Sequence, residues 1–197
     1  MKRICVFCGS HFGKQQQYAN AAAALGKILA DKQITLVYGG SDVGLMGTIA
    51  HACMESRGSV IGVMPRKLAD MEVGHVGLSE LIVVDTMHER KAKMAELADG
   101  FIALPGGIGT LEETLEMFTW VQLGLHNKPI GLLNTRGYYD RLTAFLQQVV
   151  DEGFMQAGHL EMLLIEADEE RLVNRLIHYQ PVNLSKWADR SANKVSK

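Results

Sequence analysis

The sequence predicts an α/β fold, a Rossmann-like doubly wound parallel sheet with helices on both faces. Three observations predict it. Short apolar runs rich in Val, Ile and Leu alternate with helical stretches along almost the whole chain. Each pair of runs is separated by enough residues for a crossover, which parallel strands need and helices fill. Glycine-rich turns follow the first, second and fifth runs, where such a sheet carries its ligand-binding loops.

Arg3–Cys8 is the first strand, and Gln16–Lys32 a helix with Ala19, Ala22, Ala23, Gly26 and Leu29 at spacings of three and four. Thr35–Tyr38 is the second strand, broken by Gly39-Gly40, and a helix runs from about Leu45 to Ser56. Ser59–Met64 is the third strand, ended by Pro65. Residues 65–80 show no clear period and read as a long loop with room for a short helix. Leu81–Val84, Phe101–Leu104, Pro129–Leu133 and Leu163–Ile165 are further strands. Between and after them come helices over Met87–Ala98, from the Thr110 region to Leu123, over Tyr138–Glu152 and over Glu169–His178. With no repeat, low-complexity tract or linker, residues 1–184 are expected to form one domain, and 185–197 a polar, frayed tail.

Composition excludes several classes. The chain has 197 residues, 47% hydrophobic and 21% charged, which suits a globular domain of this length. A net charge of −2 argues against a nucleic-acid or anionic-membrane partner. No apolar run nears the ~20 residues of a membrane span, and the opening MKRICVFCGS has too short an apolar stretch for a signal peptide. Three cysteines are too few for a disulfide framework, so a cytoplasmic location is expected. Cys5 and Cys8 lie three apart on a strand and point to opposite faces, and the seven histidines show no ligand spacing, so no metal is expected.

The candidate site is built from the strand-end loops. Gly9-Ser10, Gly39-Gly40 and Gly106-Gly107-Ile108-Gly109-Thr110 bring backbone N–H groups to one sheet edge, and a helix N-terminus adds free donors and partial positive charge. Each alone also reads as an ordinary turn; three on one edge read as a phosphate site. A P-loop would need Gly-Lys-Ser/Thr, and a dinucleotide site G-x-G-x-x-G after the first strand. Neither is present, which leaves a nucleoside monophosphate or sugar phosphate, held by amides.

Glu112, Glu113 and Glu116 follow the third loop. Acidic residues in a first turn suit the helix dipole, which accounts for them without chemistry. At 100° per residue, however, Glu113 shares a face with Thr110, Met117 and Trp120, within a turn of the loop, while Glu112, Glu116 and Thr119 form another line. A carboxylate near a sugar phosphate can stabilise a cationic sugar or activate water. Arg90 and Lys91 open the preceding helix against its dipole. Either Glu89 compensates and both side chains reach solvent, or they face an anionic ligand. Tyr138-Tyr139 carries no assigned chemistry.

The string PGGIGTLEE at Pro105–Glu113 resembles the PGGxGTxxE signature of the LONELY GUY family. The resemblance also takes in VFCGS, LVYGG, VGLMG, VIGVMP, MHERKAKMAELAD, FTWVQLGLHNKPIGLLN and GYYD, about residues 4 to 155. It implies hydrolysis of the N-glycosidic bond of cytokinin riboside 5′-monophosphates, and of AMP, to the free adenine-type base and ribose 5-phosphate, with no cofactor. It makes Arg90 and Glu113 the catalytic pair and Gly106, Gly107, Gly109 and Thr110 the phosphate loop, with Lys91 adjacent. Thr119 and, from the variable loop, Glu72 match further binding positions. Gly9, Ser10, Gly39, Gly40 and Glu112 complete the expected substrate-binding set. The helix after the phosphate loop is apolar on two faces, which fits deep burial in one subunit; the family resemblance implies a homodimer instead. Two other readings stay open: a general purine nucleoside-monophosphate nucleosidase of salvage, and a non-catalytic nucleotide or cofactor carrier on the same scaffold.

Overall fold

The computed structural model describes residues 1–70 and 77–181. The expected Glu72 and the tail over 185–197 lie outside the described residues. Seven parallel strands form one sheet: β1 (Arg3–Phe7), β2 (Thr35–Tyr38), β3 (Val60–Pro65), β4 (Glu80–Val84), β5 (Gly100–Ala103), β6 (Ile130–Leu133) and β7 (Leu163–Glu166), in the order β4-β3-β2-β1-β5-β6-β7. Register is direct: Val6 lies beside Ile102, and Cys5 beside both Val37 and Phe101.

Alternation along the strands builds two cores. Ile4, Val6, Cys8, Leu36 and Tyr38 point to one face, where α1 (Gln16–Asp31) and α2 (Gly44–Glu55) pack. Cys5, Phe7, Val37 and Phe101 point to the other, against α4 (Met87–Leu97) and α5 (Ile108–Gln122). Cys5 and Cys8 thus sit on opposite faces, and all three cysteines are buried free thiols. Among the described residues no cluster of three His, Cys, Asp or Glu could hold a metal, and no helix is long and apolar enough to cross a membrane.

Boundaries differ from expectation at a few ends. A short helix, α3 (Arg66–Ala69), follows β3. Helix α6 (Asp140–Asp151) begins two residues after the expected Tyr138, with Tyr139 as its N-cap at φ −93°, ψ 2°, and a 3-10 turn over Thr135–Gly137, in which Arg136 and Gly137 have positive φ, leads into it. A four-residue helix, α7 (Ala157–Leu160), was invisible to periodicity, being about one turn long. Helix α8 (Glu169–Ile177) closes the described chain. Both apolar faces of α5 are satisfied largely by this chain: Met117, Phe118 and Val121 are buried in the core, with Leu115 and Trp120 packed against it.

The chain builds outward from β1 to β4 and then returns to lay β5 on the other side of β1. The two connections leaving β1 and β5 therefore diverge onto opposite faces, and a crevice opens beyond their carboxyl ends.

Candidate active site

The loops after β1 and β5 are stitched together across this crevice: the Gly9 amide donates to the Pro105 carbonyl at 3.2 Å. Gly106 is required here, since a Cβ would collide with the Thr110 hydroxyl and stand 2.8 Å from the Gly9 nitrogen. Helix α5 begins at Ile108 with Gly107 at its N-cap and no side-chain cap. Its first amides are open to a ligand, and the dipole favours an anion there.

Helix α4 starts under a cap that explains its unusual first turn. The Thr86 hydroxyl accepts from the Glu89 amide at 3.1 Å, and the Glu89 carboxylate accepts from the Asp85 amide at 2.9 Å. This reciprocal arrangement satisfies the helix start and leaves Arg90 to turn inward. The Arg90 guanidinium donates from Nε to the Val63 carbonyl at 3.1 Å and from Nη1 to Glu113 Oε1 at 2.8 Å. Both side chains are almost wholly enclosed, 12% and 11% exposed. Burial pushes the Glu113 carboxyl above its ordinary value, and Arg90 beside it pulls the other way. The pair lines a cavity of about 340 Å³ with Gly9, Ser10, Gly39, Gly107, Gly109 and Thr110. On the other side of the Gly9–Pro105 stitch lies a more apolar hollow of about 330 Å³, walled by Phe12, Tyr18, Leu45, Gly106 and Tyr138.

Comparison with known proteins decides the family. Residues 46–176 match a family model described as "possible lysine decarboxylase". A cytokinin riboside 5′-monophosphate phosphoribohydrolase of Arabidopsis thaliana is 48% identical over 182 residues, 92% of this chain and 80% of the relative. A probable enzyme of the same name from Oryza sativa subsp. japonica is 49% identical over 181 residues, 92% and 80% of the two chains. The chain belongs to the LONELY GUY family. Solved structures share the fold: the molybdenum cofactor carrier protein of Chlamydomonas reinhardtii has a TM-score of 0.69 at 22% identity, covering 90% of this chain and 99% of that one. The molybdenum cofactor binding protein of Rippkaea orientalis has a TM-score of 0.69 at 23% identity, covering 90% and 98%.

Of the residues singled out from sequence, Gly9, Ser10, Gly39, Arg90, Gly107, Gly109, Thr110, Glu112 and Glu113 line one cavity, and Gly106 lines its neighbour. Three others are placed elsewhere. Gly40, at φ +81°, packs beneath Leu81 and Met64 and supports the turn. Lys91 reaches across to α5, where it pairs with Glu112 and, at 3.1 Å, with Glu116. Those hydrogen bonds raise its ammonium pKa and tie α4 to α5. Thr119 is exposed and bonds the Leu115 carbonyl at 2.8 Å, nine residues or about 13 Å along the helix from Thr110. Met46, Met87 and Met94 also line the cavity. Nothing in the helical period separates a methionine facing a core from one facing a cleft.

Gly39 sets the Arg90 rotamer. A Cβ there would overlap Nη2, and the guanidinium, held at Nε and Nη1, has no free route aside. Gly39→Ala is expected to lower kcat/KM at least ~10-fold with the fold intact. Steady-state kinetics beside a melting curve tests this; unchanged kinetics would remove Gly39 from the site.

Proposed function

We propose that the chain hydrolyses the N-glycosidic bond of a nucleoside 5′-monophosphate bearing an adenine-type base, N6-prenylated adenine above all, and works as a cytoplasmic homodimer. The observation that carries the activity is the enclosed Arg90–Glu113 pair set in one cavity with the open amides of the α5 N-terminus. A carrier of an anion needs the amides; a buried carboxylate beside them opposes an anion and asks for another role. The named activity of relatives 48–49% identical to this chain supports the same reading.

In this mechanism the 5′-phosphate is seated on the amides of Gly107, Gly109 and Thr110, which fixes the ribose. The C1′–N bond breaks with its electrons passing to the base, and the sugar acquires oxocarbenium character. Ionised Glu113 stabilises that charge and orients the water whose oxygen bonds to C1′. One water proton is released from the new hydroxyl, and the departing base nitrogen gains one. Arg90 is no proton donor, since guanidinium stays charged; it holds the Glu113 carboxylate ionised and in place. Amino-acid decarboxylation through a Schiff base would call for a lysine poised as a neutral amine. Lys91 is shifted the opposite way by Glu112 and Glu116, and Lys128, whose ammonium pKa burial lowers, is bonded to the Ala95 carbonyl outside the lining of the cavity.

Dimerisation draws support from large apolar side chains left in solvent, Ile108 at the start of α5, Leu125 after α5 and Phe154 after α6 among them. A solution mass of 21.7 kDa would exclude it.

Incubation with AMP and, separately, isopentenyladenosine monophosphate, followed by chromatography, tests the activity. Free base and ribose 5-phosphate are expected, faster from the prenylated nucleotide. Equal rates would move the assignment to purine salvage. No product from either, with a thermal shift on adding nucleotide, would make the chain a carrier.

A further inference from the structure

Three consecutive carbonyls enter the glycine loop, and each is held by a different donor. Tyr139 donates its hydroxyl to the Leu104 carbonyl at 2.6 Å. The Gly9 amide donates to the Pro105 carbonyl at 3.2 Å. Tyr138 donates its hydroxyl to the Gly106 carbonyl at 2.5 Å. A trans peptide is planar, with its C=O and the following N–H antiparallel. Fixing the carbonyl therefore fixes the direction of the next amide. The amides of Gly106 and Gly107 donate to no acceptor among the described residues, so these two N–H groups are aimed without being used. Gly107 lines the cavity of Arg90 and Glu113 as well as the apolar hollow, whereas Tyr138 lines only the hollow.

We propose that Tyr138 is a positioning residue for the phosphate site: by holding the Gly106 carbonyl on the hollow side, it turns the Gly107 N–H away from itself and toward the bound 5′-phosphate. The need for such a brace is physical. Glycine peptides rotate readily, and an amide that must find its direction on binding costs affinity that a fixed one does not. Tyr138 is itself braced: its ring meets Tyr18 edge-on at 5.8 Å and Tyr139 edge-on at 5.1 Å. Its place beside the loop comes from the turn over Thr135–Gly137, where Arg136 and Gly137 adopt positive φ. Tyr139 provides an internal contrast. The Leu104 carbonyl it holds belongs to a peptide whose nitrogen is that of Pro105, so there is no N–H to aim. One hydroxyl of the pair thus aims a donor, and its neighbour only secures the chain.

The proposal rests on the phosphate reading of the loop, and the test separates the two. Calorimetry would compare AMP with adenosine for the unaltered chain, Tyr138→Phe and Tyr139→Phe, with melting curves for all three. The unaltered chain is expected to prefer AMP. Tyr138→Phe keeps the ring contacts, and its preference is expected to fall about 5–10-fold, the loss appearing in AMP affinity alone. In turnover the same variant raises KM with kcat within about 2-fold. Tyr139→Phe is expected to melt lower with the preference unchanged, since a buried carbonyl loses its donor. An undiminished AMP preference in Tyr138→Phe would overturn the proposal, and so would an equal loss in Tyr139→Phe. An unaltered chain that binds adenosine as tightly as AMP would instead overturn the phosphate site itself.

Discussion

Glu113→Gln is expected to lower kcat for release of base from a nucleoside 5′-monophosphate by about 10²–10³-fold, with KM changed little. The magnitude is what loss of one fixed electrostatic partner of a developing charge costs in a water-poor site. Gln preserves the volume and an oxygen for Arg90 Nη1, so the change tests charge rather than packing. It should also leave the fold standing. The folded-state pKa of Glu113 is raised, so its contribution to stability is present at low pH and is lost as pH rises through the folded value. At neutral pH the buried carboxylate opposes folding, and replacing it relieves that cost while Arg90 loses its counter-ion. These two effects oppose each other. A melting temperature within a few degrees of the unaltered chain, with turnover nearly abolished, is the expected pair of results. Full turnover would remove Glu113 from the chemistry.

Arg90→Ala carries the second large effect and a signature of its own. In the proposed mechanism the rate needs Glu113 ionised, so activity is expected to fall as pH drops through its pKa. Because burial raises that pKa, the acid limb of kcat/KM lies above the ordinary glutamate range near 4.3–4.5. Arg90 is the main group that holds the pKa down, with a smaller contribution from Lys91. Removing Arg90 leaves desolvation opposed only by Lys91, and the limb is expected to move to higher pH while kcat/KM at neutral pH falls ~10²-fold or more. Residual turnover against pH, or carbon NMR of labelled glutamate where turnover is too slow, reads the shift. Arg90→Lys is expected to restore the acid limb in part and the rate hardly at all. A lysine supplies one point charge, whereas the guanidinium bonds Val63 and Glu113 at once from two fixed nitrogens. A limb that stays put in Arg90→Ala would mean that the two groups do not act as a pair.

The Arg90–Glu113 pairing shows how far local patterns reach. The face assigned to Glu113 from helical geometry is the face it occupies: Thr110, Glu113 and Met117 are all buried. The two positive charges at the start of α4 were also visible as a conflict with the helix dipole. What they would do was not. Glu89 does cap the helix, but neither side chain reaches solvent: Arg90 turns inward to Glu113. Lys91, one residue later and 100° around the helix, meets Glu112 and Glu116 instead of the loop. A single helical step separates a cavity-lining residue from one that ties two helices together, and only the position of α5 beside α4 tells them apart.

The sequence by itself determined the sheet and its loops. Period-two alternation sent Cys5 and Cys8 to opposite cores, and glycines after β1, β2 and β5 marked the edge where the cavity opens, because these are local consequences of backbone geometry. Tertiary structure alone decided which loops touch. Strand order set β5 against β1, which joined Gly9 to Pro105, 96 residues away in the chain, and brought Tyr138 onto the Gly106 carbonyl. It also separated Thr119 and Gly40 from the cavity. Contacts between distant segments depend on the register and order of strands, and those follow from the packing of the whole core rather than from any residue's neighbours along the chain.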